Sequence, residues 1–260
     1  MAVEQNEIQF LTDDLHFPRT ALNQNKFLSK ENLIKLGHLD TKQRDILVRA
    51  VKQVNWLFLM TEANTNISAY RGSDININEI DYFIVELKSE SQANTVAKLI
   101  LQIIPKASIV QLTWEDDNQQ RWYEIGMADY TMMRGKSNLL SMGGVHISEP
   151  TNVREEFVRY FDFQSQIKLN LKAMYASFVD NLERYNFEKS VNVTVGEHAD
   201  FSALNVTRKK LNKQIEQLTR VAKKEQQISK RSRYSAQIKK LRQELSDIEN
   251  VGSDNPLEKS

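Results

Sequence analysis

With 260 residues, 40% of them hydrophobic, the chain exceeds an average domain but cannot fill two large cores. It has no cysteine, which excludes disulfides and thiolate metal sites. No run approaches the roughly 18 apolar residues of a membrane span, and the acidic N-terminus lacks the basic and apolar blocks of a signal peptide. We expect one globular domain with an appended extension, in a soluble cytoplasmic protein with no membrane partner.

The formal net charge of +1 conceals a separation of charge along the chain. From Asn205 to Leu245 there are thirteen lysines and arginines but only three glutamates, which leaves ten net positive charges in that segment. The remainder is therefore acidic. Such a segment can pair with the acidic body of the same chain or serve an anionic partner.

The first elements are predicted from capping residues and apolar spacing. Residues before Leu15 are largely polar and should be loosely held. Ser29 is expected to cap a brief helix that Gly37 ends. Asp40 or Thr41 should begin a longer helix. Its apolar residues recur at intervals of three and four: Ile46, Leu47, Ala50, Val51, Val54 and Leu57 or Phe58.

The centre of the fold is predicted between Glu79 and Trp114. A β-branched and aromatic run ends at Leu87, residues 94–104 have helical apolar spacing, and residues 107–114 form a second apolar run. The connection is long enough for a helical crossover between parallel strands. We therefore predict an α/β (α+β) fold with a small mixed sheet flanked by helices.

After this unit, residues 122–127 are predicted to return as an antiparallel strand, and Gly143 with Gly144 marks a loop. An amphipathic helix around Phe178 should close the globular part near Tyr185. The predicted boundaries are a globular domain at 1–185, a linker at 186–203, a basic helical extension at 204–250 and a disordered tail at 251–260.

Two apolar patterns in the extension alternate steps of four and three, as a coiled-coil seam does. The register between them is lost between Lys223 and Arg233. The extension is therefore either one bent helix or a helical hairpin. The two seams are Leu211, Ile215, Leu218 and Ala222, then Tyr234, Ile238, Leu241, Leu245 and Ile248.

One arrangement could support metal-dependent catalysis. Alternation along a strand places Glu86 and Lys88 on one face, as in nucleases of the PD-(D/E)xK type, where a carboxylate binds Mg²⁺ and the amine assists a water. Asp74 would be the second carboxylate, since Asp81 should point to the opposite face. The alternative interpretation is that Glu86 and Lys88 are exposed polar residues at the end of a strand, in which case no cofactor is needed.

Other catalytic patterns are missing from the sequence. The four histidines are scattered without ligand spacing, which disfavours a histidine metal site. Neither a Gly-x-Ser-x-Gly elbow nor a Walker loop is present, which disfavours nucleotide hydrolysis.

The basic extension is the second candidate site. Its excess of lysine and arginine favours phosphate contact, whereas a coiled coil that satisfies its own charges mixes both signs. The alternative is a solvated helical face whose seam binds protein. The residues predicted to bind nucleic acid are Arg208, Lys209, Lys213, Arg220, Lys223, Lys224, Lys230, Arg231, Arg233, Lys239 and Lys240.

Five segments follow one another in a recognisable order along the chain: Phe17-Pro18-Arg19, Glu79 to Phe83 continuing to Lys88, Ile103-Ile104-Pro105, Leu169 to Lys172, and Lys223 to Gln227. This order resembles the bacterial domain-of-unknown-function 4391 family. The resemblance implies a protein encoded beside helicases and restriction-type DNA methyltransferases in bacterial defence loci. It supplies no catalytic residues.

Three functions follow as hypotheses. The first is a non-catalytic accessory subunit of an anti-phage assembly, which binds a helicase or DNA methyltransferase partner through its α/β body. Its basic helices, from Arg208 to Arg242, contact nucleic acid such as DNA or an acidic surface of the partner. The second is a metal-dependent nuclease that uses Asp74, Glu86 and Lys88. The third is homo-oligomerisation through the seams of the extension.

Overall fold

The structure, a computed structural model, describes residues 5–133, 136–191 and 200–249, with the backbone alone at residues 25, 133 and 136–139. The chain divides into two compact units, Met1–Leu182 and Glu183–Ser260. The predicted tail at 251–260 lies outside the described residues. The predicted mixed α+β fold is confirmed.

The first unit is built on a six-stranded sheet of order β1-β2-β5-β6-β7-β8. Strands β5 and β6 are parallel, and the other neighbours are antiparallel. A separate two-stranded ribbon joins β3 to β4. The strands are β1 (Leu22–Leu28), β2 (Val51–Thr61), β3 (Tyr70–Arg71), β4 (Asn76–Ile77), β5 (Glu79–Leu87), β6 (Ser108–Glu115), β7 (Arg121–Met133) and β8 (Lys136–Ile147).

Helices precede, connect and follow the strands. A π-helical turn, Phe10–Asp14, continues the first helix, and short 3₁₀ turns lie at Arg19–Ala21, Glu90–Gln92, Arg154–Phe157 and Phe163–Ser165. The helices are α1 (Gln5–Gln9), α2 (Lys30–Leu36), α3 (Thr41–Ala50), α4 (Glu62–Thr65), α5 (Ala93–Ile103), α6 (Val158–Phe161), α7 (Leu171–Val191), α8 (Phe201–Lys224) and α9 (Ile228–Glu249).

The strand–helix–strand prediction is confirmed by β5, α5 and β6. Pairing of Phe83 with Val110 and of Val110 with Gly126 places these three residues on one face of the sheet. A Cβ atom on Gly126 would lie 3.1 Å from Ala97 Cβ, so α5 covers this face closely. The glycine is what permits that approach.

Aromatic side chains fill the opposite face. Tyr82 alternates with Phe83 along β5, and its ring centroid lies 5.8 Å from Phe58 and 5.1 Å from Phe17. The Phe17 ring stacks on Phe178 of α7, with centroids 5.9 Å apart. The sheet is thus buried on both faces, as predicted for a parallel pair at its centre.

The long helix predicted from Asp40 to Phe58 is wrong in its second half. Asp40 caps α3 through a capping box with Gln43, but the helix ends at Ala50 and residues 51–61 form β2. Val51, Val54 and Phe58 are all fully buried. Strand β2 pairs with β1 on one side and β5 on the other, so the tertiary burial of a central strand overrides the local helical spacing.

The prediction of a loosely held N-terminus is also wrong. Helix α1 and the following π-turn bury Glu7, Phe10 and Leu11. Glu7 Oε1 accepts a hydrogen bond of 2.6 Å from Gln111 Nε2, and Gln111 Oε1 accepts one of 2.6 Å from the Tyr82 hydroxyl. Because Gln111 belongs to β6, these bonds attach α1 to the sheet.

Gly143 and Gly144, predicted as a loop, lie inside β8. A Cβ atom on Gly144 would lie 2.8 Å from Asp129 Oδ2. The glycine therefore leaves room for the Asp129 side chain of the neighbouring strand, and Asp129 Oδ2 lies 3.1 Å from His146 Nε2. Here glycine marks close approach of a cross-strand side chain rather than a turn.

The second unit contains an antiparallel helical hairpin, which decides between the two alternatives for the extension. Helix α8 packs along α9, and Arg208 Nε near the start of α8 lies 3.1 Å from Glu249 Oε1 at the end of α9. The predicted linker at 186–203 is too long. Helix α7 continues to Val191 because Phe187 is buried against Phe201 of α8, and residues 192–199 lie outside the described part.

Candidate nucleic-acid interface

The structure places Asp74 ahead of the first residue of β5. It lies in the turn between β3 and β4, where its carboxylate pairs with Lys172 and accepts a hydrogen bond of 3.2 Å from the Tyr70 hydroxyl. The hydrogen bond from Lys172 holds the pKa of Asp74 below its ordinary value. Asp74 is therefore a charged surface residue with two partners of its own.

Glu86 and Lys88 lie at the opposite end of β5. Glu86 Oε1 is 3.1 Å from Lys52 Nζ, and Lys88 Nζ donates to the Val48 carbonyl. The seven steps of extended strand from Glu79 to Glu86 span about 23 Å. The structure therefore does not bring Asp74 to Glu86 and Lys88. No cluster of three or more His, Cys, Asp or Glu suited to a metal ion occurs in the described ranges.

The hairpin forms for local reasons that the sequence specifies. Asp200 accepts a hydrogen bond of 2.9 Å from Ala203 N and so caps α8. Helix α8 ends at Lys224, and Glu225 adopts an extended conformation from which its carboxylate accepts a bond of 2.9 Å from Gln227 N. Three residues thus reverse the chain before α9 begins at Ile228.

Most cations of the hairpin are exposed and unmatched. Thirteen lysines and arginines stand against five carboxylates between Phe201 and Glu249, a net charge of +8, and the chain total of +1 leaves −7 elsewhere. Ten of the cations have no carboxylate partner among the described residues. These ten exposed residues are Lys209, Lys210, Lys213, Lys223, Lys224, Lys230, Arg231, Arg233, Lys239 and Arg242.

Three predicted binding residues do have partners. Arg208 is half-buried and bonds Glu249 and the Ser190 carbonyl, so it holds the hairpin to the end of α7. Arg220 pairs with Glu216 one turn earlier, and Lys240 Nζ lies 3.9 Å from Glu244 Oε1. The pairs of Arg220 and Lys240 are surface pairs of the i, i+4 kind, which contribute little to stability.

An array of exposed cations that have no carboxylate partner among the described residues can bind a polyanion without breaking ion pairs of the hairpin. Counterion release upon phosphate neutralisation would supply most of the binding free energy. Neither a nucleophile nor a general base is needed for such contact.

Comparison with known proteins supplies the family. A family model described as "Domain of unknown function (DUF4391)" matches residues 15–245. The chain belongs to this family. No curated protein and no solved structure matches it. Among the described helices, none combines the length and the apolar character that a membrane crossing requires.

Two buried carboxyl groups of this DUF4391 member lie on the sheet face that α5 covers. Burial, with Glu79 as a second cause, raises the pKa of Asp81 to about 7. Burial, followed by Glu90 and Glu149, raises the pKa of Glu124 to about 8. Only 1% of Asp81 and 2% of Glu124 is exposed, so neither can meet a substrate directly in this structure.

Sequence reasoning missed some of these features in the DUF4391 chain. Asp81 was considered only as a metal ligand, although an acid inside the apolar run of β5 signals burial and a raised pKa. Arg242 was left out of the predicted binding set, although it follows Lys239 by three residues and so lies on the same helical face. Its position beside the predicted residues was a usable signal.

Proposed function

We propose that this protein is a non-catalytic accessory subunit of a bacterial anti-phage assembly. Its basic hairpin binds nucleic acid through phosphate contacts, and its α/β unit binds a helicase or DNA methyltransferase subunit in the cytoplasm. The protein would thus act as an adaptor that brings a nucleic acid and an enzyme together.

The observation that carries the nucleic-acid part is the set of ten exposed cations without carboxylate partners among the described residues. Cations that served only to stabilise a hairpin would pair with acids at i, i+4, as Arg220 does with Glu216. An excess of positive charge on both helices has no benefit for folding, because like charges repel. It does benefit binding to a polyanion.

The partner part rests on the family resemblance. That resemblance implies genes encoded beside helicases and DNA methyltransferases. The remainder of the chain carries a net charge of −7, opposite in sign to that of the hairpin. A protein that binds DNA with one segment keeps the other available for a protein partner.

Neutralising hairpin lysines is expected to weaken DNA binding by at least about tenfold at low salt, because each lost phosphate contact removes one released counterion. The variant is the full chain with Lys213→Gln, Lys223→Gln and Lys239→Gln. Binding to a labelled DNA duplex is measured by fluorescence anisotropy between about 50 and 200 mM salt, and the slope of log K against log salt should become shallower by about two to three.

The matched control makes the same three changes at exposed lysines of the first unit, Lys35→Gln, Lys42→Gln and Lys98→Gln. It lowers the net charge equally and should leave the affinity within about twofold, since none of these lysines belongs to the hairpin. Equal losses in both variants would show that net charge, and not the hairpin, governs binding. Absence of salt-dependent binding by the unmodified chain would refute the nucleic-acid role.

Native co-purification tests the partner role. The tagged full chain, expressed from its own locus, is expected to recover a helicase or DNA methyltransferase subunit in a fixed ratio after nuclease treatment. Recovery of the chain alone would contradict the partner role. If its mass in solution at high salt were two or more times the 30.2 kDa of one chain, the result would support homo-oligomerisation through the seams.

A further inference from the structure

A groove runs between α8 and α9 close to the turn of the hairpin, with a volume of about 340 Å³. We call it the tip groove. Helix α8 contributes a lysine and two small residues, and α9 contributes residues spaced by three and four along one face. The lining residues are Thr219, Ala222, Lys223, Arg231, Ser235, Ile238, Lys239 and Arg242.

The lining combines four cations with two hydroxyl groups and an apolar floor. Lys223, Arg231, Lys239 and Arg242 are exposed and have no carboxylate partner among the described residues. Among the described residues, no carboxylate lines the tip groove. Thr219 and Ser235 supply hydroxyl donors, so every polar side chain in the groove can donate a hydrogen bond to an anion.

The charges near the start of α9 oppose the stability of the helix. The N-terminus of a helix carries a partial positive charge and favours acids, yet the first turn of α9 has none. Lys230 and Arg231 instead bring two cations to that end. An anion held in the tip groove would offset both this repulsion and the repulsion among the four lining cations.

We propose that the tip groove binds the phosphodiester backbone of a nucleic acid strand without regard to its sequence. This inference rests on the proposed function and assigns its main contact. Arg231 and Arg242 would each donate two parallel bonds to a phosphate, while Lys223 and Lys239 neutralise its neighbours. The eleven steps from Arg231 to Arg242 rise about 16 Å along α9, so the groove cations can contact more than one phosphate of a strand.

A nucleic acid fits the groove better than an acidic protein does. Lysine is depleted at protein–protein interfaces, and two of the four lining cations are lysines. Serine and threonine hydroxyls are common donors to phosphate oxygens.

The test compares two variants of the full chain that carry identical chemical changes on the same helix. The groove variant is Arg231→Gln with Lys239→Gln. The control is Arg233→Gln with Lys230→Gln, two exposed residues that do not line the tip groove. Binding to single-stranded 20-mers of two unrelated sequences is measured across salt concentrations, with poly-glutamate as a competitor and circular dichroism to verify helix content.

The groove variant is expected to bind at least about tenfold more weakly, with a salt slope reduced by about 1.4 for two lost contacts to a single strand. The control also removes two hairpin cations, so it should weaken binding as well, but at least about threefold less than the groove variant does, and both DNA sequences should behave alike. Equal losses of affinity in the two variants would show that the tip groove is not the main contact, while the proposed nucleic-acid binding by the hairpin would stand. Absence of DNA binding by the unmodified chain would overturn both the proposed function and the role of the tip groove. If poly-glutamate competed more strongly than unlabelled DNA, the groove would instead be a binding site for an acidic protein.

Discussion

Replacing Asp81 by asparagine is expected to stabilise the protein progressively as the pH rises from about 4 to about 8. Burial raises the pKa of Asp81 to about 7 from an ordinary value of 3.8. Between these values the unfolded chain has released the proton while the folded chain keeps it. The unmodified protein therefore keeps its full stability below pH 3.8 and loses stability as the pH rises through the folded pKa of about 7.

The difference in unfolding free energy between the variant and the unmodified protein should grow by about 4 kcal/mol across this window, since each pH unit corresponds to about 1.4 kcal/mol. Urea unfolding at several pH values measures it. Glu124 titrates in both proteins and cancels from the comparison. The control, Asp45→Asn, makes the same change at an exposed helical position, where no buried carboxyl group is removed, and should alter the unfolding free energy much less. A flat difference for Asp81→Asn would contradict the raised pKa.

Truncating Phe17 should destabilise the first unit by about 3 to 5 kcal/mol, the range for removing a fully buried aromatic side chain. The ring is 2% exposed and lies within 6 Å, centroid to centroid, of the four rings of Phe58, Tyr82, Phe163 and Phe178. Phe17→Ala would leave a cavity that these rings cannot fill. Its melting temperature should fall by about 10 °C.

Phe27→Ala is the matched control for this truncation. Phe27 is 52% exposed on the edge strand β1, so the same change should cost less than about 1 kcal/mol. Both variants are compared by calorimetry and by urea unfolding. Similar losses at the two positions would mean that the cluster around Phe17 does not stabilise the unit as its packing indicates.

The sequence pattern predicted the correct secondary structure wherever the local preference of a segment agrees with its tertiary contacts. Strand β5, helix α5 and strand β6 have the periodicity of their final structures, and Ser29 and Asp40 cap the helices that they were expected to cap. Capping and periodicity act over a few residues, so they can be identified without knowledge of distant contacts.

Predictions failed where a distant contact decides the conformation. Residues 51–58 have helical spacing but form a strand because β1 and β5 pair with both their edges. Helix α1 is ordered by Gln111, which lies more than a hundred residues away. Gly144 is required by the Asp129 side chain of the adjacent strand. None of these partners is visible in the local sequence.

The sequence by itself determined the cationic character of the C-terminal helices, the apolar seams that pair them and the membership of the family, because charge and periodicity are properties of the chain. Only the tertiary structure decided that Asp74 lies at the opposite end of β5 from Glu86. It alone decided that Lys223 and Arg242 line one groove, and that Asp81 is buried under α5. Distances between residues far apart in sequence depend on how the chain folds back, and composition carries no information about them.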